Sequence, residues 1–340
     1  MRFVSVLGRI LVFALGLAAL CGPSVAQQRD ARQEQAQTPP HNLAETWRDV
    51  RSGKEEYTSI KGRETGVLVQ TYGQTWRELK NSLVTPIVGW AIAAVVLLIG
   101  AFYRWRGSIK VRGAPTGRLI QRFTPFERYV HWVVAISFSI LGITGLIIML
   151  GKYLLLPVIG YTLFGWLTQI SKYLHNFAGP VFVVSLLMFI VMFIKDNLPR
   201  LHDIGWLLKA GGMISGRHVA SGRFNAGEKL WFWVGVVVLS LIVSASGLVL
   251  DFPNFDQIRA VMIEANLVHA VTAGAVMAIS LGHIYLGSVG LEGAYDAMRY
   301  GYVDEAWAKE HHEYWYNDIK SGKIKAGTAS GLPVAPQTQH

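Results

Sequence analysis

Cysteine is almost missing from this 340-residue chain: there is one, Cys21, inside an N-terminal apolar run. A chain so poor in thiols cannot by itself hold an iron–sulfur cluster, a Cys-rich zinc site or a covalently attached c-type haem. Redox or metal chemistry would have to use His, Met or carboxylates. Charge is scarce too, at 16% of residues against about 25% in soluble globular proteins. Hydrophobic residues make up 51%, and mean hydropathy is +0.33. These figures exclude disorder, collagen-like repeats and disulfide scaffolds, and they point to a membrane protein. The formal charge of +10 follows membrane topology rather than a nucleic-acid face. There is no internal repeat.

Residues 1–26 read as a secretory signal peptide. Arg2 and Arg9 flank a short apolar stretch, and Ser24-Val25-Ala26 offers small residues for cleavage before Gln27. An uncleaved anchor is the alternative. Residues 27–82 form a polar segment without apolar period, expected to be periplasmic. Five apolar runs follow, at about 84–103, 129–150, 173–194, 230–250 and 263–287, each near the ~20 residues that cross a bilayer.

Seven Lys and Arg lie between the first and second runs and six between the third and fourth. The opposite connections hold only Lys152, Lys172 and Arg259. By the positive-inside rule, 104–128 and 195–229 are cytoplasmic and the N-terminal segment lies outside. The tail from 291 is then cytoplasmic too. Its 291–319 portion is expected as a helix near the membrane surface, and its last twenty residues as disordered.

Ionisable side chains are costly in a bilayer and mark function by default. Apart from Glu264 at a boundary, the acidic or basic groups inside these runs are four histidines: His131, His175, His269 and His283. Topology puts His131 and His283 at the cytoplasmic depth, His175 and His269 at the periplasmic depth. His269 and His283 are 14 residues apart, nearly four helical turns or about 21 Å, so one helix gives one ligand to each of two stacked sites. Two imidazoles facing across a planar macrocycle suit a low-spin b-type haem. Polar packing between helices and a proton relay are the rivals; a relay usually adds buried Asp, Glu or Lys. No third ligand accompanies either pair, which argues against zinc or copper. Gly142, Gly145, Gly179, Gly274, Gly282 and Gly287 would let a macrocycle approach, or equally serve close helix packing. Arg128 could meet a haem propionate, but anchoring at the lipid headgroups is the preferred reading; His311 and His312 are read as polar tail residues.

From about 120 to 317 the sequence resembles the di-haem cytochrome b (gamma) subunit of respiratory formate dehydrogenase. The resemblance rests on Arg128-Tyr129-Val130-His131-Trp132, Leu174-His175-Asn176-Phe177 and Gly222 through Lys229 (GRFNAGEK). Val268-His269, Gly282-His283-Ile284-Tyr285 and the tail Ala306 through His312 (AWAKEHH) with Trp315-Tyr316 complete it. It implies an all-α membrane protein: a four-helix transmembrane di-haem cytochrome b bundle over 120–290. The signal peptide, the 27–82 segment and one extra N-terminal transmembrane helix at 83–104 are additions to that bundle. It also implies two b-type haems, the cytoplasmic one on His131 and His283 and the periplasmic one on His175 and His269. A quinone site would involve Asn225, Gly227 and His283, although Asn225 and Gly227 equally suit a helix-starting turn.

The implied function is electron transfer in the bacterial inner membrane, without a catalytic residue of the chain's own. Electrons would enter from a periplasmic iron–sulfur subunit, itself fed by a formate-oxidising catalytic subunit, and reduce quinone on the cytoplasmic side. The alternatives are the cytochrome b of a membrane-bound hydrogenase or thiosulfate reductase and, from another class, a haem-free membrane anchor or transporter. The expected partners include the lipid bilayer and no nucleic acid.

Overall fold

A computed structural model describes residues 44–54, 73–213, 219–255 and 257–329. The signal segment and Cys21 lie outside the described residues. The chain is all-α, and five helices are long and apolar enough to cross a membrane: α2 (Gly73–Arg106), α3 (Pro125–Leu154), α4 (Leu156–Phe193), α6 (Ala226–Asp251) and α7 (Arg259–Gly290). Large apolar side chains such as Trp90, Leu97, Phe177 and Val191 are exposed along them, as lipid-facing residues would be. Shorter elements are α1 (Ala44–Ser52), β1 (Leu119–Gln121), α5 (Leu201–Leu208), α8 (Ala294–Tyr300), β2 (Tyr302–Asp304), α9 (Glu305–His311), α10 (Glu313–Lys320) and β3 (Thr328–Ala329).

Local chemistry sets the helix ends. Pro125 opens α3 behind Thr124, whose hydroxyl accepts from the Glu127 N–H at 3.2 Å while the Glu127 carboxylate accepts from the Thr124 N–H at 2.7 Å. This is a capping box with proline in the first turn. The third apolar run was expected to start near 173, yet α4 begins at Leu156. Gly160 breaks it at φ 73°, ψ 174°, a backbone state that only glycine takes up without strain. From 161 to 193 the helix is about 50 Å long, more than the ~30 Å hydrocarbon core requires. Within α6, residues Trp231–Leu239 widen into a π-helical stretch.

The chain forms two compact units. Among the described residues, the first holds 44–54, 73–86, 140–178, 251–255 and 257–264. Within it, the Arg77 guanidinium lies 5.7 Å from the Trp47 ring centre, and Gly151 faces Phe164 so closely that a Cβ would come within 2.7 Å of the ring.

The second unit holds 87–139, 179–250 and 265–340. Leu186, Phe193, Val130 and Phe232 form its core. The added helix α2 packs here against α7: a Cβ on Gly274 would lie 2.7 Å from both Val88 methyls. Phe102 and Tyr103 meet Tyr285 edge-on at 6.2 Å.

The expected helix over 291–319 is broken into three short ones, and of the last twenty residues, expected to be disordered, 321–329 are folded while 330–340 lie outside the described residues. The tail folds into a layer built around β1, a strand in the loop before α3. Antiparallel pairing joins Ile120 to Val303 of β2 and to Thr328 of β3, so residues through Ala329 are ordered. Ala297, Trp307, Ala308, Trp315 and Tyr316 bury their side chains. Arg128 donates to the Tyr300 carbonyl at 2.5 Å.

His312 is also buried, 1% exposed. Its Nδ1 donates to the Gly222 carbonyl at 2.7 Å, and its ring packs on Trp307 at 5.0 Å. Burial first, then the Arg122 charge, pushes its pKa down to about 3. The Arg122 guanidinium itself, buried between Phe123 and Trp307, is held below its ordinary value by burial.

Two outcomes follow from this packing. Gly274→Ala should destabilise the protein by about 1–3 kcal/mol through overpacking, and Val88→Ala should restore it; unfolding by circular dichroism in detergent measures both. His312 is neutral when folded, while the unfolded chain binds its proton below about 6.5. Its stabilising effect is therefore complete above pH 6.5 and is lost as pH falls toward 3. Tail fluorescence should report acid unfolding in that window, and His312→Leu should flatten the pH dependence there.

Candidate functional site

His131 on α3 and His283 on α7 face each other in the second unit. Their ring centres are 6.4 Å apart, with the planes at 58°. A shared axial metal would need two imidazole–metal bonds of about 2 Å each plus about 1.2 Å from each nitrogen to its ring centre, roughly 6.4 Å in all. The gap matches. Among the described residues His131 Nδ1 is shut from solvent with no hydrogen-bond partner, a cost of about 1–3 kcal/mol.

Aromatic side chains hold this pair. Phe189 and Trp132 flank His131 at 6.2 and 5.5 Å, and Trp231 stacks on His283 at 5.2 Å and 14°. Trp231 fits because Gly235, in the π-helical stretch, lacks a side chain; a Cβ there would come within 2.2 Å of the indole. Such wide turns recur where a helix is bent to functional use.

His175 and His269 belong to separate units, and each is held by its own neighbours. His175 Nδ1 lies 2.9 Å from Thr144 Oγ1. The Thr144 hydroxyl already donates to the Ile140 carbonyl at 2.7 Å, so toward the imidazole it accepts. His269 Nδ1 lies 2.9 Å from the Val243 carbonyl and 3.3 Å from Ser246 Oγ. A carbonyl can only accept, and the Ser246 hydroxyl donates to the Ile242 carbonyl at 2.8 Å. In both rings the proton is therefore on Nδ1 and the lone pair on Nε2, the tautomer that binds metal through Nε2.

The two arrangements share a local sequence. Thr144-Gly145 serves His175 and Ser246-Gly247 serves His269. Each hydroxyl lies on the ring-proton side of its histidine, at His269 as the longer of two acceptors. Each glycine lies beside the ring: a Cβ would meet His175 Cε1 at 3.5 Å, an ordinary contact, and His269 Cε1 at 3.0 Å, a tight one. Thr144, Val243, Ser246, Gly247 and Trp231 had not been singled out. A hydroxyl-glycine pair one helix away from each histidine was the available signal.

The spacing of His131 and His283 fits a group that takes two axial imidazoles. Among the described residues no cluster of three or more His, Cys, Asp or Glu could hold a metal ion, so a metal here would need its remaining ligands from a cofactor.

Asn225 and Gly227 have structural work at the start of α6. Asn225 Oδ1 accepts from the Glu228 N–H at 2.9 Å, and the Glu228 carboxylate accepts from the Asn225 N–H at 2.8 Å. Gly227 lies under Trp206, whose ring a Cβ would meet at 3.1 Å. Around this cap lies a buried polar cluster absent from the sequence reading. Arg122 bonds Glu228 at 2.9 Å and the Arg223 carbonyl at 3.0 Å. Arg223 bonds Glu127 at 2.8 Å and also Asp196, and Lys229 pairs with Asp203 at 2.7 Å. A cavity of about 280 Å³ opens beside these groups, lined in part by Arg122, Glu127, Asp196 and Arg223; none of the four histidines lines it.

The chain is similar to known proteins. The chain is 30% identical over 213 residues to the cytochrome b556(fdo) subunit of formate dehydrogenase from Escherichia coli K12, covering 59% of this chain and 93% of that protein. It is 27% identical over 226 residues to the cytochrome b556(Fdn) subunit of the nitrate-inducible formate dehydrogenase of the same strain, covering 63% and 98%. For the formate dehydrogenase cytochrome b556 subunit of Haemophilus influenzae the identity is 26%, over 61% of this chain and 86% of the relative. The family model of prokaryotic cytochrome b561 matches residues 122–300, more than half of the chain and the stretch that bears all four histidines. The chain therefore belongs to the prokaryotic cytochrome b561 family, multi-pass membrane cytochromes of the b type.

Proposed function

We propose that this protein is the membrane cytochrome b subunit of a formate dehydrogenase-like complex, passing electrons from a periplasmic iron–sulfur subunit to quinone at the cytoplasmic side. The observation that carries the reading is the His131–His283 pair, set at the spacing of a bis-imidazole metal centre. The names of the similar proteins supply the partner, and with it a formate-oxidising catalytic subunit. Two b haems, when bound, would supply one-electron carriers at two depths. His131 and His283 would hold one of them, His175 and His269 the other.

The remaining roles belong to side chains near the α6 cap. Asn225 uses its Oδ1 in the cap, so its NH₂ group is the donor to a quinone carbonyl. Gly227 keeps the backbone unencumbered there, and His283 would link ligation to the quinone site. Reduction of one quinone takes two electrons and two protons, the protons coming from the cytoplasm through groups exposed by the 104–128 and 195–229 loops. With oxidation on the opposite side, this would build a proton-motive force. The orientation has the N-terminal segment periplasmic and the tail cytoplasmic.

The purified chain should show a reduced-minus-oxidised b-type spectrum and two haems by pyridine haemochrome. His131→Ala and His269→Ala should each lose a different one. Folded wild-type protein without haem would leave the histidines as packing residues, in an anchor or transporter. A reporter fused after Asn254 should read as periplasmic; a cytoplasmic reading would overturn the assignment of sides.

A further inference from the structure

The four histidines are not held alike. His175 and His269 each give the Nδ1 proton to a protein acceptor, Thr144 Oγ1 at 2.9 Å and the Val243 carbonyl at 2.9 Å, the latter supported by Ser246 at 3.3 Å. His131 Nδ1 is buried with no acceptor. Among the described residues neither ring nitrogen of His283 is hydrogen-bonded, and its ring lies against Trp231 instead. One pair is doubly hydrogen-bonded and the other has no such bond.

We infer that Thr144, Val243 and Ser246 set the His175/His269 centre at a lower reduction potential than the His131/His283 centre, and so fix the downhill direction of electron transfer within the chain. This deepens the di-haem reading above and rests on it. An acceptor on Nδ1–H draws the proton away from the ring and makes Nε2 more basic. A more basic axial nitrogen stabilises ferric over ferrous iron, which lowers the potential. Without an acceptor on Nδ1, His131 is the weaker base and favours the ferrous state. With haem bound, the downhill step would carry one electron from the His175/His269 centre, going from ferrous to ferric, to the His131/His283 centre, going from ferric to ferrous. The iron–sulfur partner refills the first centre. The quinone empties the second, taking two electrons and two protons in two such transfers.

The hydroxyls are effective acceptors because their own protons are committed. Thr144 donates to Ile140 at 2.7 Å and Ser246 to Ile242 at 2.8 Å. The two differ in weight: Thr144 bonds His175 at hydrogen-bond distance, whereas Ser246 is the longer of two acceptors on His269. Thr144 is therefore the stronger positioning residue.

The test is a spectroelectrochemical titration of the full-length chain in lipid nanodiscs, with haem counted in each sample. Wild type should hold two haems and titrate in two components. Thr144→Val, which keeps the shape and loses the acceptor, should raise the lower component and leave the upper one in place. Thr144→Ser should return it. Ser246→Ala should raise the same component by less, and because the Val243 carbonyl still holds His269 it serves if Thr144→Val fails to retain haem. His131→Ala should abolish the upper component.

Two haems with neither Thr144→Val nor Ser246→Ala moving the lower component would overturn the inference while leaving the di-haem reading intact. So would loss of the lower component in His131→Ala. Wild type lacking two haems would remove the reading itself, and the inference with it.

Discussion

An imidazole inside an apolar helix bundle needs a defined partner for its ring proton, and the neighbouring helices are arranged around that need. Water is excluded at that depth and every unpaired polar group is costly there. Thr144 on α3 and the Val243–Ser246 turn of α6 meet the requirement for His175 and His269. Each hydroxyl first returns its own proton to the carbonyl one turn back, a habit of Ser and Thr in membrane helices. At His175 that habit turns a donor into an acceptor for the ring proton; at His269 the Val243 carbonyl is the nearer acceptor and the Ser246 hydroxyl the second. Gly247 sits close under the ring it serves, since a Cβ there would come within 3.0 Å of His269 Cε1.

His131 and His283 are placed by a different device. Stacking and edge contacts with Trp231, Trp132 and Phe189 fix the rings without polar partners. The indole that does most of this depends on a local irregularity, the π-helical stretch of α6 and its Gly235. A regular helix with alanine at 235 could not hold Trp231 in that position. The backbone distortion therefore has a specific consequence for His283, rather than being slack in a long apolar segment.

Much of this could be read from the sequence, and the boundary is physical. Hydropathy reports transfer of a whole segment into lipid, so the five spans were legible. Polar residues are rare enough inside such segments that His131 and His283 could be matched by depth alone. Asn225-x-x-Glu228 was legible as a possible helix start because a capping box is local. The early start of α4 was not: residues 156–172 mix Gly160, Gln169 and Lys172 with apolar ones, and the averaged hydropathy falls short of the run that follows. The tail was missed for a more general reason. β1 has three residues, and its partners lie about 180 and 210 positions later, so no window along the chain can see the pairing. The acceptors of the ring protons escaped too, because a Thr or Ser in a membrane helix ordinarily bonds back to its own backbone and gives no sign of a second contact.

The tail layer and the histidines are connected through the mouth of α6. His312 holds the Gly222 carbonyl at 2.7 Å. Three residues on, Asn225 and Glu228 cap the helix, with Glu228 also bonded to Arg122. One residue after Glu228, Lys229 pairs with Asp203, and two positions later Trp231 lies on His283. Buried ion pairs of this kind contribute little net stability, because desolvation offsets most of their attraction. Removing one partner is another matter for Lys229 and Asp203, whose side chains are almost wholly buried, since the charge left behind would be poorly solvated. The cluster is thereby strict about geometry while adding little to stability. That suits a helix whose first turns present an indole to an imidazole, and it ties the folded tail to the start of α6.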